Sequence, residues 1–434
     1  MQSTIVVLRL KKKILCVSAA LISLLFHFNS YAVTDGIPLT LPAVERLAIN
    51  QAPELKKLRA TAGALKEQSV ADGQLSDPQL ILGAANVPTN SFSFTQDDMT
   101  MVNVGIQQIF PRGHSLAIKS KQTRALATAE ERKSQEQAAM LLRNVRETWL
   151  DLYYWTKAEQ VTRENRTLYQ RLLKSTESQY INSKASQSDV LQLQLELSRL
   201  NDQDAQIQQR LDVLRAQLGR WVGTNEANRP LFSEIPSWPN PPPMKVMQVR
   251  IQEHPLLKVD FANIEAAREQ VAYAQEQYKP GWMLDVGYGI RQGTYMDGSG
   301  KTRSNFVGAQ VTIDLPFFTS SRQDKTLHAS AYQLEAAELD QDIHYKDLMK
   351  ELTAQYAVWQ SLSKRDSLYQ KKLLPEARQN SKAALLAYRN STTDLTTVLR
   401  AYSNELTIHL EQTQIQVERA KSRGALLYLE GITF

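Results

Sequence analysis

Two hydrophobic rhythms run along the chain, and each is written twice. Trp282, Leu284, Val286, Tyr288 and Ile290 alternate with Met283, Asp285, Gly287, Gly289 and Arg291. Val307, Ala309, Val311, Ile313 and Leu315 alternate with Gly308, Gln310, Thr312 and Asp314. Earlier, Val102, Val104 and Ile106 alternate with Asn103, Gly105 and Gln107, and Leu80, Leu82 and Ala84 make a weaker partner. Period two with one apolar face predicts strands with an apolar phase on one side and water on the other. They are expected at about 79–87, 100–110, 281–291 and 305–315. The polar stretches between them, 88–99 and 292–304, read as loops.

The second rhythm is helical. Residues 115–181 contain neither proline nor glycine. At about 1.5 Å per residue that is roughly 100 Å of helix. Residues 320–388 repeat the pattern, interrupted only by Pro375. After each stretch comes a break and a returning helix. In the first, Val190, Leu197, Leu200, Ile207, Leu211, Leu214 and Leu218 step mostly by three, four or seven, as in a coiled-coil seam. Alanine-rich openings predict one helix over 41–74 and another over 245–278. Helices this long pack side by side as a rod or tube.

The two halves share landmarks in the same order. Pro53 and Pro255, Pro78 and Pro280, Pro111 and Pro316, Tyr180 and Tyr388, and Gly223 and Gly431 recur at offsets that drift little. This is an internal duplication. The first repeat covers 33–229 (helix, two strands, long helix, returning helix), a proline-rich linker 230–243, and the second repeat 244–434. The linker holds Pro230, Pro236, Pro239, Pro241, Pro242 and Pro243, so it cannot continue a helix and reads as an extended connector.

Composition narrows the class. At 434 residues and a mean hydropathy of −0.38, the chain is too polar for a bundle of membrane helices. The net charge of +6 is local: Arg9, Lys11, Lys12 and Lys13 supply four of the six, and no acidic residue precedes Asp35. No basic stripe remains for nucleic acid. That basic cluster, an apolar run over 14–28 and Ser30-Tyr31-Ala32 follow the plan of a cleaved secretory signal peptide, residues 1–32. Cys16, the only cysteine, falls inside it, so no disulfide or thiolate metal site is expected in the exported chain.

Four amphipathic strands cannot close a barrel, since the smallest bacterial ones have eight. Open edges are not tolerated in lipid, so strands in a membrane must be pooled between chains. Three chains would supply twelve. A soluble, half-buried sheet is the other reading of the same alternation.

Taken in order, these features resemble the TolC family of outer-membrane efflux channels. The resemblance covers everything after the leader. The family's helix-to-helix turn typically reads Tyr-x-x-Gly-x-x-Ser-x-x-Asp-Val-Leu. Here Tyr180, Ser183, Ser186, Asp189, Val190 and Leu191 match, with Ser183 in place of the glycine. Tyr388, Ser391, Asp394, Thr397, Val398 and Leu399 match more loosely. The family's opening segment corresponds to residues 48–55, and His254-Pro255 stands where the second copy usually has Asn-Pro.

The resemblance implies a mixed, mainly α fold. A homotrimer forms a twelve-stranded transmembrane β-barrel, four strands per chain, in the outer-membrane lipid. A long α-helical barrel continues it through the periplasm. The implied function is a passive exit duct, not an enzyme. It docks with a periplasmic adaptor and an inner-membrane resistance-nodulation-division pump, and uses no cofactor and no resident metal. The implied periplasmic tip and gate comprise Tyr180, Ser183, Asp189, Tyr388, Ser391, Asp394, Thr397 and Arg400. Well-known members carry aspartates nine and twelve positions past the second tyrosine. Here these are Thr397 and Arg400, so the acidic double ring is not carried over. Arg400 either faces the pore, paired with Asp394, or makes an ordinary surface pair.

Other motifs carry less. Gly298-Ser299-Gly300-Lys301-Thr302 ends like a phosphate-binding loop, but Tyr295 occupies the first glycine position and the segment lies between strands. His114, His254, His328, His344 and His409 show no metal-ligand spacing. Asp97, Asp98, Met99 and Met101 read as an external loop or a weak cation contact. Phe434, the last residue, follows a helix rather than a strand. The style around Pro111-Arg112-Gly113-His114 leans toward the heavy-metal cation branch of the family. Drug efflux and a type I secretion duct are the alternatives with the same fold, and a soluble periplasmic coiled-coil scaffold is the alternative of another class.

Overall fold

A computed structural model describes residues 38–390 and 392–431. The leader expected at 1–32, Cys16, Ser391 and Phe434 lie outside the described residues. The fold is mixed and mainly helical. Its first half runs α1 (Leu41–Gln51), α2 (Pro53–Ala71), β1 (Gln79–Ala85), β2 (Met101–Phe110), α3 (Ser115–Ile181), α4 (Gln187–Val222) and the short α5 (Thr224–Ala227). The second half runs α6 (Met244–Ile251), α7 (Pro255–Glu276), β3 (Trp282–Ile290), β4 (Phe306–Ile313), α8 (Gln323–Leu368), α9 (Leu374–Arg389) and α10 (Leu395–Leu429).

Each opening helix is two helices rather than the single one expected. Pro53 and Pro255 disfavour the helical conformation in the residue before them. Ala52 sits at φ −56°, ψ 109° and His254 at φ −61°, ψ 138°, so the chain breaks there and restarts with proline in the first turn. The His254 ring takes the capping role that an asparagine would fill, its Nδ1 accepting from Leu256 N at 3.2 Å. With Nδ1 accepting, Nε2–H is the donor to Tyr428 O, 3.2 Å away.

Pro375 does not break the second long helix. A π-helical turn over Tyr369–Leu373 joins α8 to α9 immediately before it. Proline clashes with the carbonyl four residues back, here Lys371, and the wider turn relieves that clash.

Helix α3 is 67 residues long and is the spine of the molecule. Its middle carries Val145, Trp149, Leu150 and Leu152, which pack with Leu41 and Val44 of α1 and with Ile207, Leu211 and Leu218 of α4. Trp149 is fully buried and stacks on Tyr153 with centroids 5.8 Å apart. Along α4 the buried positions are Leu193, Leu200, Ile207, Leu211, Leu218 and Val222, a seam stepping by seven and four. A second cluster joins Met247, Ile251, Leu257, Leu348, Leu352 and Leu426.

The proline-rich linker is extended and docked on the helices. Leu39 N donates to Pro230 O (2.7 Å), Tyr153 Oη to Ser233 O (3.2 Å) and Arg423 Nε to Pro239 O (2.7 Å). Beneath it, Arg146 and Glu45 form a buried pair at 2.5 Å. Among the described residues, no helix is long and apolar enough to cross a membrane.

The four strands form one antiparallel sheet in the order β1-β2-β3-β4. The register sets Leu80, Ile106, Val286 and Ala309 side by side, then Leu82, Val104, Tyr288 and Val307. Phe110, Trp282 and Ile313 continue this face toward the helices, and Phe110 stacks on Trp282 with centroids 3.9 Å apart. Leu82 and Val307 are 68% and 76% exposed in the single chain. The opposite face carries Gln107, Asp285 and Gln310 in one row and Gly105, Gly287 and Gly308 in the next. Strands β1 and β4 each leave one edge open, and every residue of β4 is exposed.

Candidate functional site

The far end of the helices, remote in sequence from the strands, holds the residues picked out at the two turns. Helix α3 ends in a Schellman motif. Lys184 N donates to Gln179 O (2.8 Å) and Ser183 N to Tyr180 O (2.9 Å). This motif needs a left-handed residue at its corner, normally glycine. Ser183 adopts it at φ +58°. Ser183 therefore takes a backbone conformation that glycine adopts freely, at a steric cost. In the second turn Thr392 N donates to Ala387 O at 2.9 Å, the same six-to-one closure.

The returning helices start on side-chain caps. Ser186 Oγ accepts from Asp189 N (3.1 Å) while an Asp189 carboxylate oxygen accepts from Ser186 N (3.0 Å). This capping box satisfies two backbone donors that the first helical turn leaves free. Asp394 caps α10 alone, accepting from Thr397 N at 2.8 Å. Hydrogen bonding from Thr397 holds the Asp394 carboxyl below the usual carboxylate range, and the Arg400 charge adds to that. Among the described residues no ion pair within 4.0 Å reaches Arg400, so it acts on Asp394 through space rather than by contact.

Asp394, Thr397 and Arg400 are spaced by three and lie on one exposed face of α10. Leu395, Val398 and Leu399 lie on the other and are buried. Tyr180 is 47% exposed on the first turn. Tyr388 is half-buried, and its hydroxyl donates to Gln179 Oε1 at 3.3 Å, across from one repeat to the other. Tyr169, Leu172, Leu193, Leu200, Leu395 and Leu399 form a shared apolar cluster behind this link. Tyr169 Oη also reaches Leu399 O at 3.5 Å, and burial pushes its phenol up to about 12.

Sequence reasoning placed the turns but not these partners. Leu193, Tyr169 and Gln179 join the two hairpins, and the seam read from sequence, through Val190 and Leu197, passes Leu193 by.

At the opposite end, the two loops between strands are fastened by arginines. Arg303 Nη1 donates to Asp97 O and Gln292 O (2.9 Å each) and Nη2 to Thr95 O (3.1 Å), and it pairs with Asp98 at 2.8 Å. Its side chain is 1% exposed. Arg291 donates to Ser304 O (2.6 Å) and Asp98 O (2.9 Å) with its guanidinium 4.0 Å over the Phe306 ring. The acidic cluster at Asp97 and Asp98 is thus used within the loop, and Asp97 also accepts from Met99 N at 2.7 Å.

Where sheet meets helices, Arg112 donates to Gln277 O (2.7 Å) and faces Asp314 at 3.6 Å. His114 N donates to a Glu276 carboxylate oxygen at 2.6 Å. Arg112 and His114 tie β2 to α7 here. Among the described residues, no group of three His, Cys, Asp or Glu side chains could hold a metal ion. The Gly298-to-Thr302 segment is a loop tip, with Tyr295 N bonded to Lys301 O at 3.0 Å across it.

Comparison with known proteins agrees with this architecture. Residues 246–431 match the family described as outer membrane efflux protein. No curated protein sequence matches the chain. Among solved structures, the fold is similar to the outer membrane protein VceC from Vibrio cholerae. The TM-score is 0.75 at 16% identity, over 90% of this chain and 96% of that one. It is similar to CusC, whose structures concern folding and transmembrane channel formation, with a TM-score of 0.74 at 14% identity, over 90% and 91%. It is similar as well to the Campylobacter jejuni CmeC outer membrane channel, with a TM-score of 0.72 at 13% identity, over 90% and 85%. Residues 246–431 are thus similar to the outer membrane efflux protein family, and over nine-tenths of its length the chain has the fold of these three proteins.

Proposed function

We propose that this chain is the outer-membrane exit duct of a tripartite efflux system. Three copies pool their strands into a twelve-stranded barrel in lipid and their helices into a periplasmic tube. A periplasmic adaptor and an inner-membrane resistance-nodulation-division pump dock at the helical end, and the pump supplies the energy. The observation that carries this reading is the sheet. One face is apolar and exposed, both edges are open, and it stands directly on helices about 100 Å long. Edge closure in lipid requires neighbouring strands, and a threefold assembly supplies them to both edges at once.

The gate in this reading is the helical tip. The face bearing Asp394, Thr397 and Arg400 turns toward the axis, beside Asp189 and the turns at Tyr180, Ser183, Tyr388 and Ser391. Three Arg400 side chains near one axis repel one another and repel cations, so they favour a closed state that excludes cations.

Small organic compounds, rather than heavy-metal cations, are the cargo that the observations favour. The resemblance to the cation branch lies around Arg112 and His114, and a weak cation contact was the other reading of Asp97, Asp98, Met99 and Met101. Arg112 and the His114 backbone join strand to helix, Asp97 and Asp98 are engaged by Arg303 and Met99, and the Met101 side chain lies over Gly289.

Deleting the gene and scoring growth tests both levels. Sensitivity to dyes, bile salts and antibiotics with unchanged growth on copper, silver, zinc, cobalt and cadmium is expected. Sensitivity confined to metals would overturn the cargo and keep the duct. A single-chain native mass in mild detergent, or recovery in the soluble periplasm, would overturn the duct and favour a scaffold.

A further inference from the structure

Asp285 is the only charged residue in the four strands. It does not lie on the apolar face. Its row across the sheet is Gln79, Gln107, Asp285 and Gln310, three amides and one carboxylate. The next row toward the loops is Ile81, Gly105, Gly287 and Gly308. The three glycines leave the wall bare above the polar row. A Cβ on Gly105 would stand 3.1 Å from Val286 O and 3.6 Å from Asp285 Oδ1, so the carboxylate occupies the space beside that glycine. The other charges near the sheet are matched. Arg112 faces Asp314 at the helical end, and at the loop end Arg303 pairs with Asp98 while Arg291 is held by loop carbonyls. Asp285 makes no ion pair within 4.0 Å among the described residues.

We infer that Asp285 and its two symmetry mates form the charge-selecting ring of the barrel lumen, favouring cationic over anionic solutes. The inference rests on the trimeric duct reading, which turns the apolar face to lipid and this face inward. Threefold closure places three such rows around the lumen, twelve polar side chains of which the three carboxylates share one height. The glycine row keeps the lumen wide next to it, so the ring acts through its potential rather than by contact. Alternation of apolar-out and polar-in positions is what permits one substitution to tune selectivity without touching the lipid face. For an efflux duct this places organic cations and zwitterions ahead of organic anions on the last stage of the exit path.

The test uses thiol labelling of the purified full-length trimer in detergent, so it does not depend on the state of the tip. Cys16 is the only cysteine, so Cys16→Ala with Gln310→Cys gives one reporter in the ring. Labelling rates of a trimethylammonium and a sulfonate methanethiosulfonate are each divided by their rates on a small free thiol. One carboxylate about 6 Å away through salt water favours the cationic reagent by about threefold. That ratio is expected with Asp285, is expected to fall to about one in Asp285→Asn, and to return in Asp285→Glu.

A ratio of about one with Asp285 intact, or the same ratio in Asp285→Asn, would overturn the ring and leave the duct standing. Val311→Cys, on the lipid face, is expected to be shielded. If Val311→Cys labels as fast as Gln310→Cys, or if the protein has the mass of one chain, the barrel itself fails and the ring with it.

Discussion

The hydroxyl of Tyr388 donates to the side-chain oxygen of Gln179 at 3.3 Å, and this bond joins the two helical hairpins where both turn back. Tyr388 follows the π-helical turn and Pro375 in the second repeat, while Gln179 closes the Schellman motif of the first. In the proposed duct the bond holds the second hairpin against the first. A neutral hydrogen bond contributes about 1 kcal/mol, which is about fivefold in an equilibrium. Tyr388→Phe is therefore expected to raise the open fraction of single channels in planar bilayers by about fivefold. An open fraction equal to wild type would remove this bond from the closed state.

Arg400→Ala tests the axial face of α10. Among the described residues the arginine makes no ion pair within 4.0 Å, and its loss removes positive charge near Asp394. Closed-state conductance is expected to rise and the reversal potential to move toward that of the cation. Unchanged conductance and selectivity would return Arg400 to the outer surface of its helix.

Ser183→Gly is expected to stabilise the chain. A non-glycine residue at φ +58° costs roughly 1 kcal/mol relative to glycine. Ser183→Val, β-branched at the same corner, is expected to lower stability by more. Detergent-phase melting of the two variants beside wild type checks the order glycine, serine, valine.

His254 gives a pH dependence with a definite sign. Burial lowers its folded pKa from 6.5 to about 4. The unfolded chain therefore binds a proton in this window that the folded chain does not. The neutral ring's contribution is fully present above about 6.5 and is lost as pH falls toward about 4, by roughly 1.4 kcal/mol per unit. His254→Asn, which keeps a cap acceptor and a donor toward Tyr428 O, is expected to flatten this part of the stability profile between pH 7 and pH 5. A slope equal to wild type in the asparagine variant would assign the effect elsewhere.

Arg303→Met removes the group that holds three loop carbonyls and Asp98 together. Arg303 is buried while Asp98 is partly exposed, so the loss falls chiefly on the loop carbonyls left without a donor. The segments 88–99 and 292–304 are expected to become protease-sensitive while the helices stay protected. Equal digestion of wild type and variant would show that the loops are held by other contacts.

The fold class was legible because its two periods are unambiguous. Alternation at Trp282 to Ile290 permits only a strand with unlike faces, and an uninterrupted α3 permits only a long helix. The breaks before Pro53 and Pro255 were missed because alanine-rich helix propensity runs straight through them. The local rule for the residue before proline wins over that average. Pro375 erred in the other direction, since a π-helical turn absorbs what sequence reads as an interruption.

The candidate site was legible only as a pair of turns. Ser186 with Asp189 is a local signal at a spacing of three, so sequence alone carries it. Tyr388 with Gln179, and Tyr169 with Leu399, are separated by a whole repeat, and no periodicity relates them. Asp285 was visible as a charge on one phase of a strand. Its neighbours Gln107 and Gln310 follow only from the register, which depends on where each hairpin loop begins and ends.

The open edges of β1 and β4 make the finished sheet depend on how many chains are present. A lone chain can form its helical hairpins at any dilution, because α3 packs on α1, α2, α4, α7 and α10 of the same chain. Its sheet has no such option, since both margins await strands from other molecules. In the proposed assembly, the amount of completed barrel follows the trimer equilibrium and varies with the cube of the free chain, whereas each hairpin forms within one chain. Halving the free chain would lower the completed barrel by about eightfold at equilibrium and leave the hairpins untouched. Chains helical below and incomplete above would then accumulate, with an apolar sheet margin ready to pair with whatever strand arrives first.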